Sequence, residues 1–285
     1  MRRSLLFIPA NSPAMLQNAD VFSADSVIFD LEDAVTITEK DAALNLLDLY
    51  LKTHDLSQME IVVRTNSFVT GFSTRDIETI TSDKIDTIML PKANAHDVLM
   101  LSKMLTKIEK KKNMSKKVRI LPIIELASSL LEIKEIACLD RVDGLLLGAE
   151  DLATDLEIVR TETGTEILYA RSLVVVAAKA NKIDAIDTPY TNTKDEDGLM
   201  KDCKFASSLG MNAKACIHPN QIEVVNQIFS PSIHEIEYAK KVLIAYEEAQ
   251  KTGKGAFSVD GKMVDKPIIE RANKLIKKAE KWGVL

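Results

Sequence analysis

The chain has 285 residues, 46% hydrophobic and 28% charged, with 37 basic against 42 acidic side chains and a formal net charge of −5. That is apolar material for a large core under a charged surface, with no basic footprint for nucleic acid. No stretch approaches the roughly 20 apolar residues of a membrane span, and three cysteines without a CxxC pair, Cys138, Cys203 and Cys216, are expected to be reduced thiols.

Buried parallel strands read as continuous apolar runs, and amphipathic helices as a period near 3.6. The chain opens with Arg2-Arg3 ahead of a strand over Ser4–Pro9, a run too short for a signal-peptide core, so a cytoplasmic location is expected. A helix over Ser12–Phe22 leads to a strand over Ser26–Leu31 and a helix over Thr38–Thr53. The strand Glu60–Thr65 precedes a helix at Thr74–Thr81, and the strand Thr87–Pro91 a helix at Ala95–Lys112. The lysine cluster between Lys107 and Lys117 is read as a solvated helix end rather than a phosphate patch. Next come the strand Val118–Ile124, a helix at Ser128–Ala137, the strand Val142–Leu147 and a helix at Thr165–Asn181. The strand Ile183–Ile186, the helix Glu196–Leu209, the strand Ala213–Ile217 and the helix Asn220–Ile228 follow.

Eight alternating βα units predict an α/β fold, a (β/α)8 TIM barrel over residues 1–230. An open doubly wound sheet is the other arrangement of such units, but the first turn, Pro9-Ala10-Asn11-Ser12-Pro13, has neither GxGxxG nor a Walker lysine. Beyond the barrel lie a long helix at Ser232–Thr252, a glycine-containing segment from Gly253 to Gly261, and a last helix from Pro267 to Lys281. Residues 231–285 are expected to form a C-terminal helical arm or lid belonging to the same domain.

Four apolar runs end in chemically capable residues: Ile61-Val62-Val63-Arg64, Leu121-Pro122-Ile123-Ile124-Glu125, Leu145 through Asp151, and Ala215-Cys216-Ile217-His218. Barrels build active sites by delivering such groups to the C-terminal rim from different strands. Glu125 and Asp151, on adjacent strand ends about 4.8 Å apart, are placed to share one cation. Few hard oxygen ligands suit Mg2+, although either acid by itself is equally an N-cap or a solvated loop residue. Arg64 is read two ways, as a bidentate grip on a substrate carboxylate or as a structural partner for a neighbouring strand's acid. Asp30, Glu32 and Asp33 crowd behind a short apolar run, where some would orient basic side chains or metal-bound water. Lys92 is suited to a Schiff base, but the nearby acids favour a protonated structural or anion-orienting lysine. His218 sits where barrels often bind phosphate or a substrate's remote end, with a structural hydrogen-bonded role equally open.

Several ordered stretches together resemble the citrate lyase β/malyl-coenzyme A lyase family. They include Arg2 through Pro9, Phe29-Asp30-Leu31-Glu32-Asp33-Ala34-Val35, Val63-Arg64-Thr65-Asn66, Leu90-Pro91-Lys92, Ile124-Glu125 and Leu147-Gly148-Ala149-Glu150-Asp151. Later ones are Arg160-Thr161-Glu162, Gly164 through Arg171, Asp187-Thr188-Pro189-Tyr190 and Gly261 through Pro267. The block from Arg160 to Arg171 points to the citrate lyase β side of the family. Ala10 departs from the glycine usual in the family, and the segment around His218 varies among members.

The resemblance implies a barrel with Mg2+ on Glu125 and Asp151, and Arg64 on a substrate carboxylate. It places Ala149, Glu150 and His218 with the substrate-binding set, supported by Asp30, Glu32, Asp33 and Lys92. Asp265 stands where relatives carry an acid/base aspartate that reaches a neighbouring subunit, which implies a homo-oligomeric core. The implied reaction cleaves a citryl thioester on an acyl carrier protein (the γ subunit), beside an acyl-transferring α subunit. The alternatives are a malyl- or citramalyl-coenzyme A lyase acting on free thioesters, and a non-catalytic scaffold subunit.

Overall fold

A computed structural model describes residues 2–56, 58–251 and 257–285. Residues 252–256, within or beside the expected glycine-containing segment, lie outside the described residues. The chain divides into two units, Met1–Val225 and Asn226–Leu285, each described by itself.

In the first unit eight parallel strands close into a barrel. They are β1 Ser4–Pro9, β2 Ser26–Asp30, β3 Glu60–Arg64, β4 Thr87–Leu90, β5 Arg119–Ile124, β6 Gly144–Leu147, β7 Asp184–Asp187 and β8 Ala213–Cys216. The last strand pairs with the first, Leu5 standing opposite Ala215. Leu5, Ile28, Val62, Met89, Leu121, Ile123, Leu146, Ile186, Ala213 and Ala215 form one interior apolar cluster, with Phe7 packed against it. A barrel so filled is a core rather than a pore, so its chemistry belongs to the rim. Register then places Asp30 of β2 opposite Arg64 of β3.

Ten helices accompany these strands among the described residues: α1 Pro13–Gln17, α2 Lys40–Thr53, α3 Ser73–Ile80, α4 Ala95–Lys112, α5 Ala127–Leu131, α6 Ile133–Ala137, α7 Ala149–Asp155, α8 Leu168–Asn181, α9 Glu196–Leu209 and α10 Gln221–Phe229. The helix expected over Ser12–Phe22 is instead α1 and a separate 3-10 turn at Ala19–Phe22. The one expected over Ser128–Ala137 breaks at Glu132, whose carboxylate accepts the Ala95 N–H at 2.9 Å.

Helix α7 corrects a sequence expectation. Strand β6 stops at Leu147 and a single residue, Gly148, separates it from α7, so Glu150 and Asp151 lie in a helix's first turn and not on a strand end. The apolar run hides this, because buried Leu145–Leu147 lead through Gly148 into buried Ala149 with no polar residue to mark where the strand ends and the helix starts. Acids are favoured in a first turn in any case, where the helix dipole is positive.

The N-terminal end of the barrel is closed by charge. Arg2 donates to both oxygens of Glu60 at 2.5 and 2.6 Å, and to Asp143 and Asp184 at 2.8 and 3.2 Å. Arg3 pairs with Asp25.

In the second unit α11 Ile233–Lys251 and α12 Lys266–Lys281 pack with a hairpin of β9 Phe257–Val259 and β10 Lys262–Val264. The hairpin turns through Asp260 and Gly261, both at positive φ (48° and 76°), the backbone of a tight two-residue connection. Ala239, Val242, Val259, Val264, Ile269 and Ala272 make its small core. Asp265 is the N-cap of α12, accepting the Ile268 N–H at 3.4 Å, with Pro267 in the first turn. Among the described residues no helix is long and apolar enough to cross a membrane.

Candidate active site

Strands β2, β3 and β5 and the first residues after β4 and β6 bring the expected side chains to one rim. Asp30 anchors the corner after β2, its carboxylate accepting the N–H groups of Glu32 at 2.8 Å and Ala34 at 3.2 Å. It also takes Arg64 in a two-point grip, Nε at 2.7 Å and Nη2 at 2.5 Å. Arg64 Nη1 lies 3.0 Å from Glu32 Oε2 and 3.8 Å from Asp33, and its guanidinium stacks 5.0 Å above the Phe7 ring. The structural pairing considered for Arg64 is therefore present, and one edge of the guanidinium remains turned to the rim acids. Lys40, at the start of α2, donates to the carbonyls of Leu31 and Glu32 at 2.8 and 2.6 Å and ties the corner down.

Glu125 directly follows β5 and is 4% exposed. Its Oε1 accepts the Lys92 backbone N–H at 2.6 Å. Its Oε2 rests against Gly148, where an added Cβ would come within 2.6 Å of that oxygen and 2.8 Å of Ile123. Glycine is thus required here by close approach. Lys92 donates from Nζ to Glu32 at 2.9 Å and lies 3.5 Å from Asp151 Oδ2.

Electrostatics follow from this crowding. Burial, then Glu32 and Asp151 nearby, push the Glu125 carboxyl up to about 8 against the pull of the Lys92 N–H. Burial also raises Glu32, despite Arg64 and Lys92. For Lys92, burial opposes the charge, but the hydrogen bond and charge of Glu32 prevail and hold the ammonium above its ordinary value. Asp30, Glu32, Asp33, Glu125 and Asp151 stand against Arg64, Lys92 and Lys40, five carboxylates facing three cations.

A cavity of about 160 Å³ opens onto this set, lined by Asp33, Arg64, Glu125, Glu150, Asp151 and Thr188 among others. A more apolar one of about 340 Å³ shares Phe7, Arg64 and Pro189 with it and extends toward Met15 and Ala34. Glu150 pairs with Arg160 at 3.0 Å, and the Ala149 N–H donates to Thr188 Oγ1 at 3.2 Å. His218 is not brought in: its exposed ring sits with Asn220, Nδ1 being 2.7 Å from Asn220 Oδ1, and it lines neither cavity. Asp265 belongs to the second unit.

Sequence reasoning passed over Thr188 and Pro189 as site residues and missed what holds them. Lys214 donates to the Thr188 carbonyl at 2.7 Å and to Asp187 and Asp202 at 2.6 Å each. Arg171 pairs with the same two acids, so four charges from β7, β8, α8 and α9 neutralise one another behind the rim. The motif ending in Arg171 was the available signal.

The donor set fits a divalent ion of the Mg2+ kind. Glu125 and Asp151 offer hard oxygens, and the rim holds more carboxyl groups than cations. Among the described residues no group of three or more His, Cys, Asp or Glu is arranged to hold a metal alone. Two carboxylates suit an ion which takes one or two such ligands and leaves the rest of its shell to water and substrate.

A closed (β/α)8 barrel with an arginine and an acid pair at its rim has the layout of a barrel enzyme, and the family match makes that enzyme a lyase. The chain belongs to the HpcH/HpaI aldolase/citrate lyase family, whose pattern matches residues 3–219. It is 40% identical over 282 residues to the citrate lyase subunit beta of Leuconostoc mesenteroides subsp. cremoris, covering 98% of this chain and 93% of that protein. It is 34% identical to a (3S)-malyl-CoA thioesterase of Cereibacter sphaeroides, covering 98% and 94%. Among solved structures, the CitE protein of Mycobacterium tuberculosis in complex with magnesium, acetoacetate and coenzyme A is similar at a TM-score of 0.80. Identity there is 31%, with 98% of each chain covered.

Proposed function

We propose that this chain is the β subunit of a citrate lyase and, with Mg2+, splits a citryl thioester carried on an acyl carrier protein into oxaloacetate and an acetyl thioester. The observation that carries this reading is Glu125 and Asp151 beside Arg64 in one cavity whose carboxylates outnumber its cations. The similarity to citrate lyase β chains and to a magnesium-bound relative supports it. In this reading the chain works with the carrier and an acyl-transferring subunit.

Glu125 and Asp151 would hold Mg2+, which would supply Lewis acidity toward a substrate oxygen. Arg64, its Nε and Nη2 fixed by Asp30, would turn Nη1 from Glu32, 3.0 Å away, to a substrate carboxylate. Gly148, Ile123 and Leu146 close the floor against water. The adjoining apolar cavity gives the thioester arm a path past Phe7 and Pro189. As the carbon–carbon bond breaks, a base takes the hydroxyl proton, and an acid returns a proton to the acetyl carbon. Asp265 is assigned one of these transfers, acting at the barrel of an adjacent subunit in a homo-oligomer. Mixing inactive Asp265→Ala with inactive Glu125→Ala chains is expected to restore partial activity after subunit exchange. No recovery despite exchange sinks the shared site.

Chelation is expected to abolish cleavage, and added Mg2+ to restore it. Full activity in excess chelator rejects the reading. The likeness to a malyl-CoA thioesterase and to a coenzyme A complex favours one second reading, a lyase acting on free malyl- or citramalyl-coenzyme A. Cleavage rates on citryl-acyl carrier protein and on the free coenzyme A thioesters separate the two.

A further inference from the structure

Lys92 follows Pro91 with φ at 50°, a left-handed backbone that side chains other than glycine and asparagine seldom adopt. Two contacts accompany it there. The backbone N–H reaches Glu125 Oε1 at 2.6 Å, and the ammonium spans from Glu32 Oε1 at 2.9 Å to Asp151 Oδ2 at 3.5 Å. One strained residue therefore touches both carboxylates assigned to the metal and the acid behind them. We infer that Lys92 is a positioning residue that holds the Glu125–Asp151 carboxylate pair together and keeps its affinity for a metal ion low until an anionic substrate arrives.

The physics is a competition between two cations for Asp151. A divalent ion on that carboxylate sits within a few ångströms of the Lys92 ammonium, in a half-buried site where solvent screens the repulsion poorly. A substrate carboxylate or keto oxygen adds negative charge that both cations share, so metal and substrate then favour each other's binding. The backbone N–H is a separate device: it fixes Glu125 whatever side chain residue 92 carries.

This inference rests on the assignment of Glu125 and Asp151 as metal ligands. Its test is direct binding of Mn2+, a stand-in for Mg2+, measured by calorimetry or electron paramagnetic resonance with and without oxaloacetate. The wild-type chain is expected to bind Mn2+ about tenfold more tightly when oxaloacetate is present. Lys92→Met is expected to bind Mn2+ alone about tenfold more tightly than the wild type, with most of the oxaloacetate effect gone. Lys92→Gly should do the same with the left-handed strain relieved, which separates loss of the ammonium from any effect of the backbone. Wild-type or weaker Mn2+ affinity in both variants overturns the role of Lys92, because a merely structural lysine would loosen the site on removal. Glu125→Gln tests the underlying assignment separately: undiminished Mn2+ binding in that variant breaks the metal reading itself.

Discussion

Glu60 and Glu125 sit at opposite ends of one barrel, both in largely buried surroundings, and are held at opposite ends of the carboxylate range. Burial works against the charge of Glu60, but the Arg2 guanidinium and the hydroxyls of Ser26 and Thr87 outweigh it and bring it down to about 2. Glu125 has one backbone N–H, two neighbouring acids and a lysine shared among them, and is pushed up to about 8. The difference is compensation. A guanidinium on both oxygens and two hydroxyls satisfy Glu60 where charge closes the barrel, whereas Glu125 is met by a single backbone N–H at the end where a barrel does chemistry.

Exchanging each glutamate for glutamine should separate these uses most sharply. Glu125→Gln is expected to lower kcat about a thousandfold or more through loss of metal-assisted charge stabilisation, while the fold keeps or gains stability. Glu60→Gln should leave turnover per folded molecule near normal and cost about 3 kcal/mol of stability, because Arg2 loses its bidentate partner. Steady-state kinetics with denaturant unfolding on both variants reads the two effects. A large kcat loss in Glu60→Gln with unchanged stability would erase the distinction.

Acidity should act on the two groups in opposite directions. An unfolded glutamate titrates near about 4.3. Glu60 in the folded chain titrates lower, so its contribution is complete above the unfolded value and is lost as pH falls toward about 2. Glu125 in the metal-free folded chain keeps a proton that the unfolded chain has released, so its effect on stability declines from about pH 4.3 up to about 8 and then levels. Unfolding midpoints across pH should show both limbs in the wild type. Glu60→Gln should flatten the acid limb, and Glu125→Gln or added Mg2+ the other. An upper limb of unchanged slope in Glu125→Gln contradicts the raised carboxyl.

Arg64 stands between the two cases, paired with Asp30 yet lining the cavity. Arg64→Lys should keep charge but lose the fork, weakening oxaloacetate binding by about 2 kcal/mol. Near-normal oxaloacetate affinity in that variant would move Arg64 wholly to the structural side.

Much of this was legible in the sequence. Barrel strands buried on both faces leave continuous apolar runs, and the two helices read to the residue, α4 and α9, carry plain end signals. Asn94 caps α4 and left-handed Asn113 ends it; Asp195 caps α9 and Gly210 ends it. Helix α7 was illegible because it starts one residue after β6, and the hairpin because its strands have three residues each. At the site, Glu125 showed itself as a charge after an apolar run. Lys214 could not, since a fully buried lysine looks like an interruption of its strand until Asp187 and Asp202 are known to meet it.

The smallest expected effect is none at all, and it tests whether Lys92 belongs to the compensated or the reactive kind of charge. A Schiff-base enzyme needs a lysine that sheds its proton near neutral pH, which burial away from acids achieves. Lys92 has the opposite surroundings. Glu32 accepts its hydrogen bond, Asp151 lies within 3.5 Å, and its ammonium is held more firmly than a free lysine's. Borohydride with oxaloacetate or pyruvate is therefore expected to leave residue 92 unmodified, as read by peptide mass spectrometry, while a known Schiff-base aldolase in the same tube is trapped. A substrate-dependent reduced adduct at Lys92 would mean that its proton leaves despite two acids, and would make the amine rather than the metal the electron sink.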